Sequence, residues 1–109
     1  MEHHHVLAPS EEGGVVLDIG GEVGAAVVHA PVVLAGREIE IRRRGTSWDG
    51  THVAVRERRV TGGVFYAALF PGLSRGSYEV RVRDDAEGPV AVVEVQGGRV
   101  SEARLAVPT

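Results

Sequence analysis

GVVLDIGGEVGAAVV (residues 14–28) sets two valine-rich runs on either side of a Gly-Gly pair, and its reading decides the fold. Valine is stiff at χ1 and suits a pleated, half-buried surface. Glycine supplies the left-handed backbone that tight turns need. Residues 15–19 and 23–29 therefore read as two strands joined at Gly20-Gly21, with Pro31 closing the second.

The rest of the chain repeats this grammar. REIEIRR (37–43) alternates strictly, Ile39 and Ile41 to one side and Glu38, Glu40 and Arg42 to the other. HVAVRERRV (52–60) is expected as one strand after the loop GTSWDGT (45–51). VFYAALF (64–70) follows a turn at Thr61-Gly62-Gly63, and SYEVRVR (77–83) follows PGLSRG. PVAVVEV (89–95) and RVSEARLAV (99–107) read as a last hairpin about Gln96-Gly97-Gly98. Short connections between consecutive strands mean antiparallel pairing. The expected architecture is an all-β antiparallel sandwich of seven or eight strands over 14–109, with residues 1–13 as a flexible His-containing tail.

The expected core is Val15, Leu17, Ile19, Val27, Ile39, Ile41, Val53, Val55, Phe65, Leu69, Tyr78, Val80, Val82, Val93, Val95 and Leu105. In 64–70 a one-residue shift would exchange the faces.

Composition bounds the function. Among 109 residues there are twenty valines and fifteen glycines, no Lys, Asn or Cys, and all twelve basic residues are Arg. A domain of this size buries roughly two-thirds of its unfolded surface without staples. The net charge of −3 lacks the basic footprint of general nucleic-acid binding. Without cysteine there is no disulfide framework or thiolate zinc site. No apolar run approaches the ~20 residues of a membrane span. The opening MEHHHVLAPSEEGG has no apolar segment after basic residues, so no signal peptide is read there and a cytoplasmic protein is expected.

FPGLSRGSYEVRVRDDAEGPVAVVEVQGGRVSEARLAV (70–107) resembles the second half of the prealbumin-like sandwiches, which include carboxypeptidase regulatory-like domains, collagen-adhesin B-type repeats and transthyretin. Phe70, Leu73, Gly76 and Tyr78 occupy the places of that pattern, with Ser74-Arg75 where proline is usual. The resemblance implies a fold and leaves activity open. The segments VLDIGG, HVAVRERR and YAALFPGLSRGSY also resemble small actinobacterial proteins, some of which carry a phospholipase label. The cysteine framework of secreted phospholipases is missing here.

LDIGG (17–21) is similar to the phosphate hairpin of actin-like ATPases, but that fold needs further phosphate and adenosine loops and several hundred residues. The hairpin reading accounts for the same letters. His5-Val6-Leu7 resembles the opening of the 5-hydroxyisourate hydrolases, with Ala8 in place of their Asp. Their closing Tyr-Arg-Gly-Ser and His-x-His segments are missing, so a general acid–base route lacks a partner.

Two clusters remain. His3, His4 and His5 offer adjacent imidazoles for Zn, Ni or Cu. Arg42, Arg43, Arg44, Arg56, Arg58 and Arg59 crowd the middle of the chain around Trp48, with Arg42, Arg44, Arg56, Arg58 and Trp48 as the candidate partner-binding set. If strands 37–43 and 52–59 paired, they would share a face able to hold an anionic or protein partner, unless Glu38, Glu40 and Glu57 neutralise it. The leading expectation is a non-catalytic binding or adaptor module acting through a sheet face or end loops, on a protein partner or as a homo-oligomer. The alternative is a metal-binding protein using the histidines. A small hydrolase on a transthyretin-like fold stands third.

Overall fold

The computed structural model describes the backbone of residues 4–8 and 15–106, and side chains from Ile19 to Ala106. Among the described residues ten strands are present: β1 His4–Ala8, β2 Val15–Ile19, β3 Val23–His29, β4 Glu38–Arg43, β5 His52–Ala54, β6 Arg56–Val60, β7 Gly63–Ser74, β8 Gly76–Val82, β9 Ala91–Val95 and β10 Val100–Arg104. Eight of them form two four-stranded sheets, the first in the order β10-β3-β7-β6 and the second β5-β4-β8-β9, while β1 and β2 make a separate ribbon. The one helical element among the described residues is a 3-10 turn, Val32–Leu34, on the passage from the first sheet to the second. The all-β sandwich expected from the valine and glycine pattern is what the chain forms.

The core lies between the sheets. Ala26, Val28, Ala68 and Phe70 of the first sheet meet Ile39, Ile41, Tyr78, Val80, Val82, Val93 and Val95 of the second, with Val55 and Leu105 sealing the sides. The period of two in 37–43 and 77–83 produces this directly, because alternate residues of a strand face opposite sides. In β3 and β7 the expected register is off by one. Val28 and Phe70 enter the main core, whereas Val27 and Leu69 lie on the other face with Ile19 and Ala25. Phe65 is half-buried on that outer side against His29, with ring centroids 5.3 Å apart, and Val53 only borders the core. Runs such as GAAVVH are apolar on both faces, so alternation cannot choose between them. The side chains of Val15 and Leu17 lie outside the described residues.

Four further expectations on connectivity need correction. Residues 52–60 are not one strand: β5 pairs with β4 in the second sheet, then the chain crosses at Val55 and β6 pairs with β7 in the first. Residues 89–95 and 99–107 are not a hairpin. β9 pairs with β8, and β10 crosses to lie parallel to β3. Parallel pairing is possible because these two strands are far apart in sequence. Residues 4–8, expected within a tail, form a strand antiparallel to β2 from His4 opposite Ile19 to Ala8 opposite Val15. The turn at Gly20-Gly21 does form, closed by paired backbone hydrogen bonds of 2.9 Å between Gly20 and Val23. It does not continue as a ladder, because β3 is taken up by β7 and β10.

The Gly-Gly pairs of two turns account for each other. A Cβ on Gly97 would stand 1.8 Å from the Gly21 carbonyl oxygen, so the β2–β3 and β9–β10 turns pack backbone to backbone. The Gly98 amide donates to the Val23 carbonyl at 2.9 Å and completes this clasp. LDIGG thus ends in a turn that locks one end of the sandwich.

Candidate functional site

The arginines of the middle of the chain divide between the two sheets. β4 and β8 pair with Glu40 opposite Arg81 and Arg42 opposite Glu79. Arg42 Nε donates to Glu79 at 3.0 Å, Arg81 Nε to Glu40 at 3.3 Å, and Arg83 Nη1 to Glu38 at 3.2 Å. The polar halves of two alternating sequences, EIEIRR and YEVRVR, thus meet as cross-strand ion pairs. Trp48 reaches onto this outer face. Its ring centroid lies 4.3 Å from the Arg42 guanidinium carbon and 4.1 Å from that of Arg81, inside cation–π range. Glu40 lies beneath them, 6% exposed.

Arg42 and Trp48 are therefore together, as the sequence suggested. Arg44 is exposed just past the end of the same strand, its amide donating to the Ser77 carbonyl at 3.0 Å. Arg56 and Arg58 are not with them. They lie on β6 in the other sheet, so the premise that 37–43 and 52–59 pair throughout does not hold. Arg58 is 4% exposed, and burial, with repulsion from Arg56, holds its guanidinium below its ordinary range.

Beyond β4 the chain forms a tightly held loop. The Thr46 amide and hydroxyl both donate to the Arg43 carbonyl, at 3.1 and 2.7 Å. Asp49 Oδ1 accepts from the Thr51 amide at 3.0 Å, an Asx turn. The Ile41 amide then donates to the Thr51 carbonyl at 3.1 Å, returning the loop to the sheet. Hydrogen bonds from the Thr51 backbone, and secondly from its side chain, hold the Asp49 carboxyl below the usual aspartate range.

A cleft of about 410 Å³ opens between this loop and the start of β8. Ile41, Arg42 and Arg43 of β4 form one side, and Thr46, Ser47, Asp49 and Thr51 of the loop form another. Leu73 and Tyr78 close it from the β7–β8 turn. Tyr78 is 7% exposed, and its hydroxyl donates to the Ser74 carbonyl at 2.6 Å across that turn. Arg43 arches over the same turn, its Nη2 donating to the Arg75 carbonyl at 2.9 Å and its guanidinium 5.2 Å from the Tyr78 ring. Gly76 makes the path available: a Cβ there would sit 2.3 Å from Arg43 Nη1, and its φ of +151° suits glycine.

Sequence reasoning placed Arg43 in the arginine cluster but not at a cleft, and it missed Arg81, Asp49 and the three loop hydroxyls. The Asp49-x-Thr51 spacing was the available signal for the Asx turn. The charge complement of 38–42 and 79–83 was the signal for the ion pairs.

Of the histidines proposed as metal ligands, His3 lies outside the described residues. His4 and His5 are the first two positions of β1, in register with Ile19 and Asp18, and their side chains lie outside the described residues. Among the described residues no group of three or more His, Asp or Glu side chains is placed to hold a metal ion. No helix among them is long and apolar enough to cross a membrane. No protein-family model matches the chain, and no curated protein or solved structure is significantly similar to it.

Proposed function

We propose that this chain is a non-catalytic binding module that works through its end loops, at the cleft between residues 43–51 and 73–78. The observation that carries the reading is the contrast in how polar groups are used. On the outer face of the second sheet, each of Arg42, Arg81 and Arg83 has a carboxylate within 3.3 Å, which leaves little charge for a partner. In the cleft, the hydrogen bonds fix the loop backbone, and the side chains of Thr46, Ser47, Asp49 and Thr51 line the opening. Such pre-organisation lowers the entropic cost of binding, and the volume falls in the ~300–1,000 Å³ range of ligand pockets. The test is amide shift mapping of the labelled protein against a library of small polar fragments. Hits should cluster on 43–51 and 73–78. Hits confined to 38–42 and 79–83 would move the function to the sheet face.

Kinship with the prealbumin-like sandwiches belongs to the same reading. Its support is local: Phe70, Leu73, Gly76 and Tyr78 build the corner at which β7 of the first sheet passes into β8 of the second, with Tyr78 in the core and its hydroxyl on the Ser74 carbonyl.

A second reading, association with another copy, is favoured by the edges. β5 has three residues and β6 carries three arginines. β9 presents one charged residue in five, with Val92 46% and neighbouring Val90 48% exposed. An edge with so little charge invites strand pairing. A Val92→Lys change should lower the mass seen by light scattering if β9 pairs with its copy, and leave it unchanged if the protein is monomeric.

A further inference from the structure

The cleft also indicates what kind of molecule it takes, an inference that rests on the binding-module reading above. Its apolar members, Ile41, Leu73 and Tyr78, belong to or border the core, so the base of the cleft is the rim of the sandwich interior. Above them stand the hydroxyls of Thr46, Ser47 and Thr51, the Asp49 carboxylate and the guanidinium groups of Arg42 and Arg43.

Three ligand classes can be compared by charge. An anion needs cationic donors that are not offset. Here Arg42 is held by Glu79, and Asp49, kept ionised by Thr51, shares the cavity. A cation would be drawn to Asp49 but would meet Arg43 and Arg42 on the β4 side. A neutral polyol fits both. Each of its hydroxyls donates and accepts, which matches a lining of carboxylate, guanidinium and hydroxyl groups. Bonds to the ionised groups would be the stronger ones. The C–H face of a pyranose ring, unlike a simple polyol, also has an apolar surface to set on Leu73 and the core rim. We propose that the cleft is a binding site for a neutral saccharide, with Asp49 and Arg43 as its charged hydrogen-bonding partners and Ser47 as a further contact.

Trp48 provides the reporter. It is the single tryptophan of the chain, lies between Ser47 and Asp49, and rests on Arg42, which lines the cleft. A ligand held by the loop must alter its emission or the amide shifts around it.

The experiment titrates the full chain with methyl glycosides of glucose, galactose, mannose and N-acetylglucosamine, and in parallel with inorganic phosphate. Amide shifts and Trp48 emission are read together. The expected result is saturable binding of at least one glycoside with a Kd of about millimolar order, as befits so small a ligand. The shifts should centre on Thr46, Ser47, Asp49 and Thr51. Because the ligand is neutral, the affinity should hold between low and high salt. Asp49→Asn keeps an acceptor for the Thr51 amide and removes the charge, so it should weaken binding by about tenfold with the fold intact. Ser47→Ala, at an exposed loop position, is the second variant and should weaken it by a few-fold. The proposal is overturned if no glycoside shifts these amides, or if phosphate does so in their place with a steep salt dependence. If glycosides fail while other fragments still map to the cleft, the saccharide assignment falls and the binding-module reading stands.

Discussion

The outer faces of the two sheets meet solvent by different means. The first sheet carries Ala25, Val27 and Leu69 outward, and Ile19 of the β1–β2 ribbon packs down on them. Around this patch the polar groups are local: His29 Nε2 lies 2.6 Å from Glu102, and Arg58 is buried on the same side. The second sheet carries Glu38, Glu40, Arg42, Glu79, Arg81 and Arg83 outward. Among the described residues it is closed by their mutual pairing and by one indole. An apolar outer face must recruit cover, because exposed apolar area costs about 25 cal/mol per Å². A face of alternating charges satisfies itself and leaves the loop beside it free for other use. The candidate cleft opens beside the self-satisfied face.

The sharpest way to break this comparison is to truncate a large side chain on each of the two faces of one strand. Phe70 lies in the main core at 2% exposure, and Phe70→Ala should cost about 3–5 kcal/mol. Its neighbour Leu69 lies in the thinner cluster under Ile19, which can close around a lost side chain. Leu69→Ala should cost about 2 kcal/mol. Urea midpoints measure both. Equal losses would mean that the ribbon face is a second core of the same quality, and the distinction between covered and central apolar surface would go.

Much of this was legible in the sequence, and the failures have definite causes. Ile39, Ile41, Tyr78, Val80 and Val82 were placed correctly because their strands alternate apolar with charged residues. The crossing at Val55 was invisible because Val53 and Val55 keep the period of two straight through it. A continuous strand and one that changes sheets then have the same pattern. The shift in β3 followed from GAAVV (24–28) having no polar residue to mark a face. β10 was misplaced because Gln96-Gly97-Gly98 reads as a hairpin turn, and the contact with Gly21 that redirects it is non-local. At the site, neutralisation of the arginines by glutamates was foreseen in kind but with the wrong strand as partner. The cleft was not foreseen at all, since Thr46, Ser47, Asp49 and Thr51 acquire meaning only when β8 is brought beside them.

Within the charged face, depth should separate its ion pairs. Glu40 and Arg81 have side chains 8% and 18% exposed, while Glu38 and Arg83 are 46% and 39% exposed. Removing one partner of the deeper pair leaves a guanidinium poorly solvated under Trp48. Glu40→Gln should therefore cost about 1–2 kcal/mol. Glu38→Gln should cost about 0.5 kcal/mol or less, since exposed pairs contribute little. Adding salt should erase the smaller effect and spare most of the larger one. If the two variants behave alike at low and high salt, the face is a solvated surface throughout and Trp48 shields nothing.

The smallest effect concerns the loop itself. The folded-state pKa of Asp49 is depressed, so the stability it contributes is present above its unfolded value, 3.8, and is lost as pH falls through the lower folded value. From neutral pH down to about 4 the Asx turn should not change, and the Thr51 amide proton should report this directly. Its chemical shift should titrate with a midpoint below 3.8, and that transition should vanish in Asp49→Asn, where the acceptor oxygen remains but the charge does not. A midpoint at or above 3.8 in the native chain would mean that the carboxylate is not held by Thr51. The loop would then be assembled by its ligand and not before it, and the contrast between a self-satisfied face and a pre-organised cleft would lose its second half.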